Sequence, residues 1–293
     1  MNAFLFPGQG SQKIGMGRAL FESSPVAKEL FERANEILGY DLAKLCFEGP
    51  QEALTDTRHA QTALLTVGVL HWQQAQSEGI SAAMAAGHSL GEYSALVAAG
   101  ALSFEVALRL VQKRAEMMAQ APHGAMAAII GLGDEQLAAV LDSVAGEGAV
   151  VPANFNSPGQ IVISGESGAV EAAMREAKAA GAKMAVKLAV SGAFHSPLMR
   201  EAGAQMAALI DAAPFHDAQI PVYQNVTARP ATAGADLQAA LREQMTSPVR
   251  WTDTIRAMIE GGATQFYELG PGNVLAGLVK RIDKSVSVET TDK

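Results

Sequence analysis

One cysteine in 293 residues rules out a disulfide framework, and with it the small stapled folds of oxidising compartments. Cys46 is expected as a small core residue, in a chain kept in a reducing cytoplasm. No run reaches the roughly 18 consecutive apolar residues that a membrane span needs. No basic stretch followed by an apolar one opens the chain as a secretion signal would, so no membrane partner is expected. Basic residues are the scarcer charge, 22 Lys and Arg against 30 Asp and Glu, for a net charge of −8. Nucleic-acid binding needs concentrated Lys and Arg, which excludes a broad surface of that kind but not a local basic patch. Metal ligation lacks its usual spacings: neither His-Glu-x-x-His nor paired cysteines occur. Nucleotide loops are missing as well. Gly8-Gln9-Gly10 starts a Gly-x-Gly-x-x-Gly pattern, but Lys13 holds the third glycine's place and no Walker A pattern follows.

What remains is an ordinary globular composition, 49% hydrophobic and 18% charged, at a length that suggests about two domains. Repeats and low-complexity segments are absent. Apolar patterning predicts a strand over Ala3–Phe6, helices over Pro25–Leu38 and about Gln61–Gln76, a strand over Ala82–Ala86 and helices over Glu92–Ala101 and from Phe104 to about Gln120. The break at Ala121-Pro122-His123-Gly124 opens a different unit. Strand Met126–Ile130, helix Asp134–Val144, strands Val150–Asn154 and Gln160–Ser164, helix Ser167–Ala180 and strand Met184–Val190 give the order βαββαβ. Asn156-Ser157-Pro158-Gly159 is the turn between its middle strands. Ser191-Gly192-Ala193 then leads back to helices and strands. The expected fold is α/β: a large α/β-hydrolase-like domain of residues 1–124 and 191–293, with a small ferredoxin-like domain of residues 125–190 inserted.

Gly87-His88-Ser89-Leu90-Gly91 has the Gly-x-Ser-x-Gly spacing that suits a nucleophile on a strained strand-to-helix turn. Ser89-x-x-Glu92 is also a capping box, so Ser89 could serve only to satisfy a helix start. A capping box does not require the two glycines. A nucleophilic serine needs a base. Of six histidines, His195 stands at the domain junction before Ser196-Pro197, a strong helix start. The helix dipole there favours the neutral imidazole that a base requires; the alternative is a junction histidine bonded to backbone. His88 is expected buried in the serine turn, and His59, His71, His123 and His216 structural or exposed. Arg114 lies within the apolar stripe of its helix, four residues after Leu110 and three before Met117. A guanidinium facing a core needs an anion. Glu92, a substrate carboxylate, or an escape to solvent along the arginine stem would each answer. Gly8-Gln9-Gly10 is a tight turn that could supply an oxyanion donor or be a turn alone.

These segments together resemble the malonyl-CoA:acyl carrier protein transacylases of fatty acid synthesis and the related acyltransferase domains of polyketide synthases. The matching pieces are Phe6-Pro7-Gly8-Gln9-Gly10-Ser11-Gln12, Gly87 to Glu92, Gln112-Lys113-Arg114, Asn156-Ser157-Pro158-Gly159-Gln160, Ala193-Phe194-His195-Ser196 and Gly270-Pro271-Gly272. They run in the family's order from about residue 4 to 280. The resemblance implies Ser89 as nucleophile, His195 as base, and the N–H groups of Gln9 and Leu90 as oxyanion hole. It implies Arg114 as the holder of the malonyl carboxylate, with His88, Phe194 and Asn156 at the substrate. The family's histidine is oriented by a backbone carbonyl before a tryptophan, which here implies Arg250. Leu90 and Phe194 resemble malonyl-selective members. The implied partners are malonyl-CoA and an acidic acyl carrier protein, with no cofactor and no metal, in a monomer. Lys178, Lys183, Lys187 and Arg200 are candidates for the carrier's basic patch. A serine esterase or thioesterase shares the nucleophile turn but uses an acidic third member, and none stands out. A non-catalytic binding module would not need Ser89 or His195. Fatty acid and polyketide carriers are not separable from sequence.

Overall fold

A computed structural model of the chain describes residues 1–190 and 192–292. Among them ten strands form two sheets: β1 (Asn2–Phe6), β2 (Met84–Gly87), β3 (Ala125–Ile130), β4 (Val150–Ser157), β5 (Gln160–Gly165), β6 (Met184–Lys187), β7 (Val222–Tyr223), β8 (Pro230–Ala231), β9 (Gln265–Glu268) and β10 (Ser287–Thr290). The larger sheet runs β10-β9-β1-β2-β7-β8, parallel except for the β7–β8 pair. Its centre explains the short apolar strand seen in sequence. Ala3 to Phe6 are all buried, because helices cover both faces of a parallel sheet. Side chains alternate along the strand. Ala3 and Leu5 join a core with Met84, Ala86, Trp251 and Phe266, whereas Phe4 and Phe6 join a larger one with Phe31, Leu65 and Ala85.

Local signals set the helix ends. Ser24 caps the helix Pro25–Leu38 by accepting from Ala27 N, and Gly39 ends it in the left-handed region. Ser103 caps Phe104–Gln120 in the same way. Both helices have the expected bounds. The intervening helix begins at Thr57, a turn earlier than its apolar pattern, because Asp56 accepts from Arg58 N. The helix after Ser89 stops at Ala98, short of Ala101. Gly100 takes φ 77°, and Ala101 N returns to Leu96 O.

The smaller sheet runs β4-β5-β3-β6, antiparallel throughout. Ile129 and Ile163 of this sheet pack with Leu137 and Val170 of the helices Asp134–Ser143 and Ser167–Ala179. The element order is βαββαβ, as expected. Two bounds differ. β4 continues to Ser157, which pairs with Gln160, so the turn contracts to Pro158-Gly159 with Gly159 at φ 73°. β6 ends at Lys187 rather than Val190: its last pair is Ala127 with Lys187, and beyond it only Leu188 N still bonds β3, at Met126 O. The expected domain boundary at residue 191 falls on Ser191, which lies outside the described residues. Met126 and Val162 also pack into the larger core, tying the two sheets together.

The carboxyl ends of β1, β2 and β7 lie side by side, the place where open parallel sheets hold ligands. Gly8-Gln9 follows β1, Ser89 follows β2 and Asn225 follows β7.

Candidate active site

The turn after β2 is built around missing Cβ atoms. A Cβ on Gly87 would lie 1.9 Å from Gly91 C, one on Gly91 would lie 2.0 Å from Phe6 O, and one on Gly8 would lie 2.5 Å from His88 O. Strand, turn and helix pass too closely for any other residue. Ser89 itself takes φ 51°, a conformation costing about 1–3 kcal/mol in a non-glycine residue. Asn225 holds it there, accepting from Ser89 N at 2.7 Å and donating to Gly87 O at 2.7 Å. The capping alternative is excluded, because Leu90 is the N-cap of the helix Gly91–Ala98 and no side chain caps it. The Ser89 hydroxyl turns instead to His195 Nε2 at 2.8 Å.

His195 is 4% exposed and sits at φ 58°. Its Nδ1 faces two carbonyl oxygens, Gln244 O and Ser247 O, each at 3.0 Å. Carbonyls only accept, so the proton is on Nδ1 and the Nε2 lone pair faces the serine hydroxyl. Burial, followed by the nearby Arg114 charge, pushes this imidazole down to about 3. The imidazole is neutral, as expected from the helix dipole, but desolvation is the main cause. Ser196 caps the following turn through Leu198 N as expected.

Arg250 does not supply the orienting carbonyl. Its guanidinium binds Asp253 Oδ2 at 2.7 and 3.0 Å, and its N–H goes to Asn225 O. The tight turn Gln244–Thr246, one turn earlier in the chain, folds over the imidazole instead.

Arg114 is 1% exposed. It donates from Nη1 to Gln61 Oε1 at 2.5 Å, and from Nη2 to Gln244 Oε1 at 3.1 Å and Ser89 Oγ at 3.0 Å. Its guanidinium also lies 5.8 Å from the Tyr93 ring centroid. Glu92, one of the anions considered, is not its direct partner. That carboxyl accepts from Gln244 Nε2 and Asn225 N, and burial pushes it up to about 7. Nor does Arg114 escape to solvent. Neutral acceptors hold a full positive charge in place, and donors remain for a carboxylate.

Ser89, His195 and Arg114 open on a cavity of about 510 Å³, together with Gln9, Leu90, His88 and Phe194. Among the described residues, the backbone N–H groups of Gln9 and Leu90 meet no acceptor, as an oxyanion hole requires. Asn156 does not line the cavity; it accepts from His88 Nε2 at 2.8 Å, and Asn154 takes the wall position. The remaining histidines are structural or exposed: His59 and His71 are bonded within the fold, and His123 and His216 are exposed. Cys46 is fully buried and its thiol is pushed up to about 12. Of the basic candidates, Lys187 is paired with Glu171 at 2.9 Å and Lys178 donates to Lys183 O. Sequence reasoning missed Gln61, Asn225, Gln244 and Ser247. Only Gln61 left a signal, as an amide at the head of an otherwise apolar helical run.

A hydroxyl bonded to an unprotonated imidazole, beside unpaired backbone donors, is an arrangement suited to acyl chemistry through a serine ester. Residues 3–291 match the acyl transferase domain family, and the chain belongs to that family. It is 51% identical over 286 residues to the malonyl CoA-acyl carrier protein transacylase of Bacillus subtilis (strain 168), spanning 96% of this chain and 90% of that one. An acyl carrier protein S-malonyltransferase from Vibrio cholerae matches with a TM-score of 0.96 at 44% identity, covering 100% of this chain and 97% of that one. A malonyl-transacylase solved in complex with a type II polyketide acyl-carrier protein also gives a TM-score of 0.96 at 44% identity, with 100% and 96% covered.

Proposed function

We propose that this enzyme transfers the malonyl group of malonyl-CoA to the phosphopantetheine thiol of acyl carrier protein, supplying fatty acid synthesis. The observation that carries this reading is the buried Arg114, held by neutral groups and in contact with the Ser89 hydroxyl. A plain esterase has no use for such a cation, whereas an acyl group ending in a carboxylate needs one.

Ser89 Oγ attacks the thioester carbonyl while its proton passes to His195 Nε2. The tetrahedral oxyanion lies between the N–H groups of Gln9 and Leu90. Collapse breaks the C–S bond, and His195 returns the proton to the departing coenzyme A thiolate. The carrier's thiol then gives its proton to His195 and attacks the malonyl ester, and the Ser89 alkoxide leaves and takes the proton back. Arg114 holds the malonyl carboxylate throughout, and Leu90 and Phe194 shape the space beside it. His88, fixed by Asn156, closes the wall next to the serine. Gln244 and Ser247 orient the base. All these groups come from a single chain, which supports action as a monomer, and the single cysteine, buried and free, supports a reducing cytoplasm.

We read residues 125–190 as a ferredoxin-like domain, supported by the strand order β4-β5-β3-β6. The remainder is α/β-hydrolase-like, supported by the serine turn between a parallel strand and its helix. Lys183 and Arg200 stay as the carrier's basic contacts, with Lys178 and Lys187 beside them. Loading of a polyketide carrier is the second reading, favoured by the likeness to the polyketide complex. Intact-protein mass spectrometry after brief incubation with malonyl-CoA tests the function. A malonyl-sized gain on the wild type, absent from Ser89→Ala, supports it; release of coenzyme A with no adduct indicates a thioesterase. Relative rates on the two carriers separate the two readings.

A further inference from the structure

Gln244 stands where the polar contacts of the site cross. Its carbonyl backbone takes His195 Nδ1–H. Its side-chain Oε1 accepts from Arg114 Nη2 at 3.1 Å, and its Nε2 donates to Ser89 O at 2.9 Å and to Glu92 Oε2 at 2.8 Å. The amide has one possible orientation, since arginine can only donate and the Ser89 carbonyl can only accept. It therefore lies head to tail between the Arg114 cation and the Glu92 carboxyl.

Glu92 has no part in the transfer steps described above. It is 2% exposed, does not line the cavity, and makes no direct ion pair among the described residues. Placed in the first turn of the helix after Ser89, it binds no backbone of that helix. Its Oε2 instead accepts from two groups far along the chain, Gln244 Nε2 and Asn225 N. A buried carboxyl is a costly way to join two loops, because a well-packed apolar side chain would serve at lower cost. The carboxyl does what an apolar group cannot: with the Ser89 carbonyl it occupies both N–H donors of the Gln244 amide, which leaves Oε1 facing Arg114. With the amide reversed, an N–H donor would meet a guanidinium N–H donor, and Arg114 would have to move.

We propose that Glu92 is a positioning residue which, through the Gln244 amide, holds Arg114 in the pose that receives the acyl carboxylate, and so sets discrimination between malonyl and acetyl groups. The inference rests on the transacylase reading. Glu92 and Gln244 also touch the serine turn, through Asn225 N and Ser89 O, but those contacts serve malonyl and acetyl transfer alike.

The test compares rates of acyl-enzyme formation from malonyl-CoA and from acetyl-CoA, followed by coenzyme A release, for wild type, Glu92→Ala and Gln244→Met. The second variant keeps the main-chain carbonyl for His195 and removes only the amide. Each variant is expected to lower the malonyl rate by about tenfold or more, the usual weight of a hydrogen bond to a charged group. The lost contacts to Ser89 O and Asn225 N weigh on both acyl groups alike, so the acetyl rate should fall about tenfold less than the malonyl rate and the ratio should fall by about tenfold. A purely structural role would lower both rates in step, and that result, or an unchanged ratio, overturns the proposal. If Glu92→Ala fails to fold, Gln244→Met decides by the same criterion. A wild-type chain that takes up no malonyl group would overturn the functional reading and this inference with it, whereas rates falling in step overturn the inference alone.

Discussion

Replacing Arg114 by methionine removes the guanidinium while keeping most of the side chain's length in a site that is 1% exposed. A hydrogen bond to a charged group contributes about 1.5–3 kcal/mol. A malonyl carboxylate held through two such bonds therefore loses about 3–6 kcal/mol, or about 10²–10⁴ in kcat/KM. Acetyl transfer should behave oppositely. In the wild type an acetyl methyl leaves the desolvated cation without an anion, and the variant removes that mismatch, so the acetyl rate should hold or rise. Arg114 also touches Ser89 Oγ, and its loss alters the nucleophile for both acyl groups alike. The ratio of the two rates cancels that shared effect, which makes the ratio the proper readout. The assay is single-turnover coenzyme A release from each donor, with intact mass confirming the acyl-enzyme. Arg114→Lys should fall between the two, because an ammonium keeps the charge but not the planar fork. Equal losses for malonyl and acetyl would refute carboxylate recognition by Arg114.

Other consequences are as direct. Gly91→Ala puts a Cβ 2.0 Å from Phe6 O, so the turn must break open; thermal unfolding should show a loss of at least about 1–3 kcal/mol, and an unchanged melting temperature would contradict the packing argument. Because His195 is held down to about 3, the acid limb of malonyl-enzyme formation should lie well below pH 6.5, and pre-steady-state rates giving a limb at or above 6.5 would overturn the neutral-base assignment. His195 and His71 carry folded pKa values of about 3 and about 4 against 6.5 in the unfolded chain. The unfolded chain therefore binds protons the folded one refuses, and denaturation curves should show stability falling as pH drops from 6.5 toward those values. Glu92 has the opposite sign: its folded pKa is raised from 4.5 to about 7. Stability from that group is present below 4.5 and lost as pH rises through 7, so Glu92→Gln should compare better with wild type at pH 8 than at pH 5 in the same assay. Cys46 should resist thiol reagents until the protein unfolds.

What the sequence revealed and what it hid follow from how far each signal travels along the chain. The starts of helices Pro25–Leu38 and Phe104–Gln120 were readable to the residue because their caps, Ser24 and Ser103, act within three residues. The glycines around Ser89 were readable because a backbone constraint leaves only one residue type able to meet it. Arg114 stood out as a charge on an apolar stripe, although spacing alone could not tell a substrate from a structural anion. The groups that hold these residues in place were invisible. Asn225 lies 136 residues from the Ser89 N–H it accepts, and Gln244 lies 130 from the guanidinium it holds. An asparagine in a turn, or a glutamine ending a helix, looks the same whether or not it serves a site. The error over Arg250 has the same origin. A main-chain carbonyl carries no side-chain signature, so only the path of the turn Gln244–Thr246 decides which carbonyl meets the imidazole. Side chains that perform chemistry must be of particular types and so mark the sequence, whereas those that position them need only a donor or an acceptor at the right point in space.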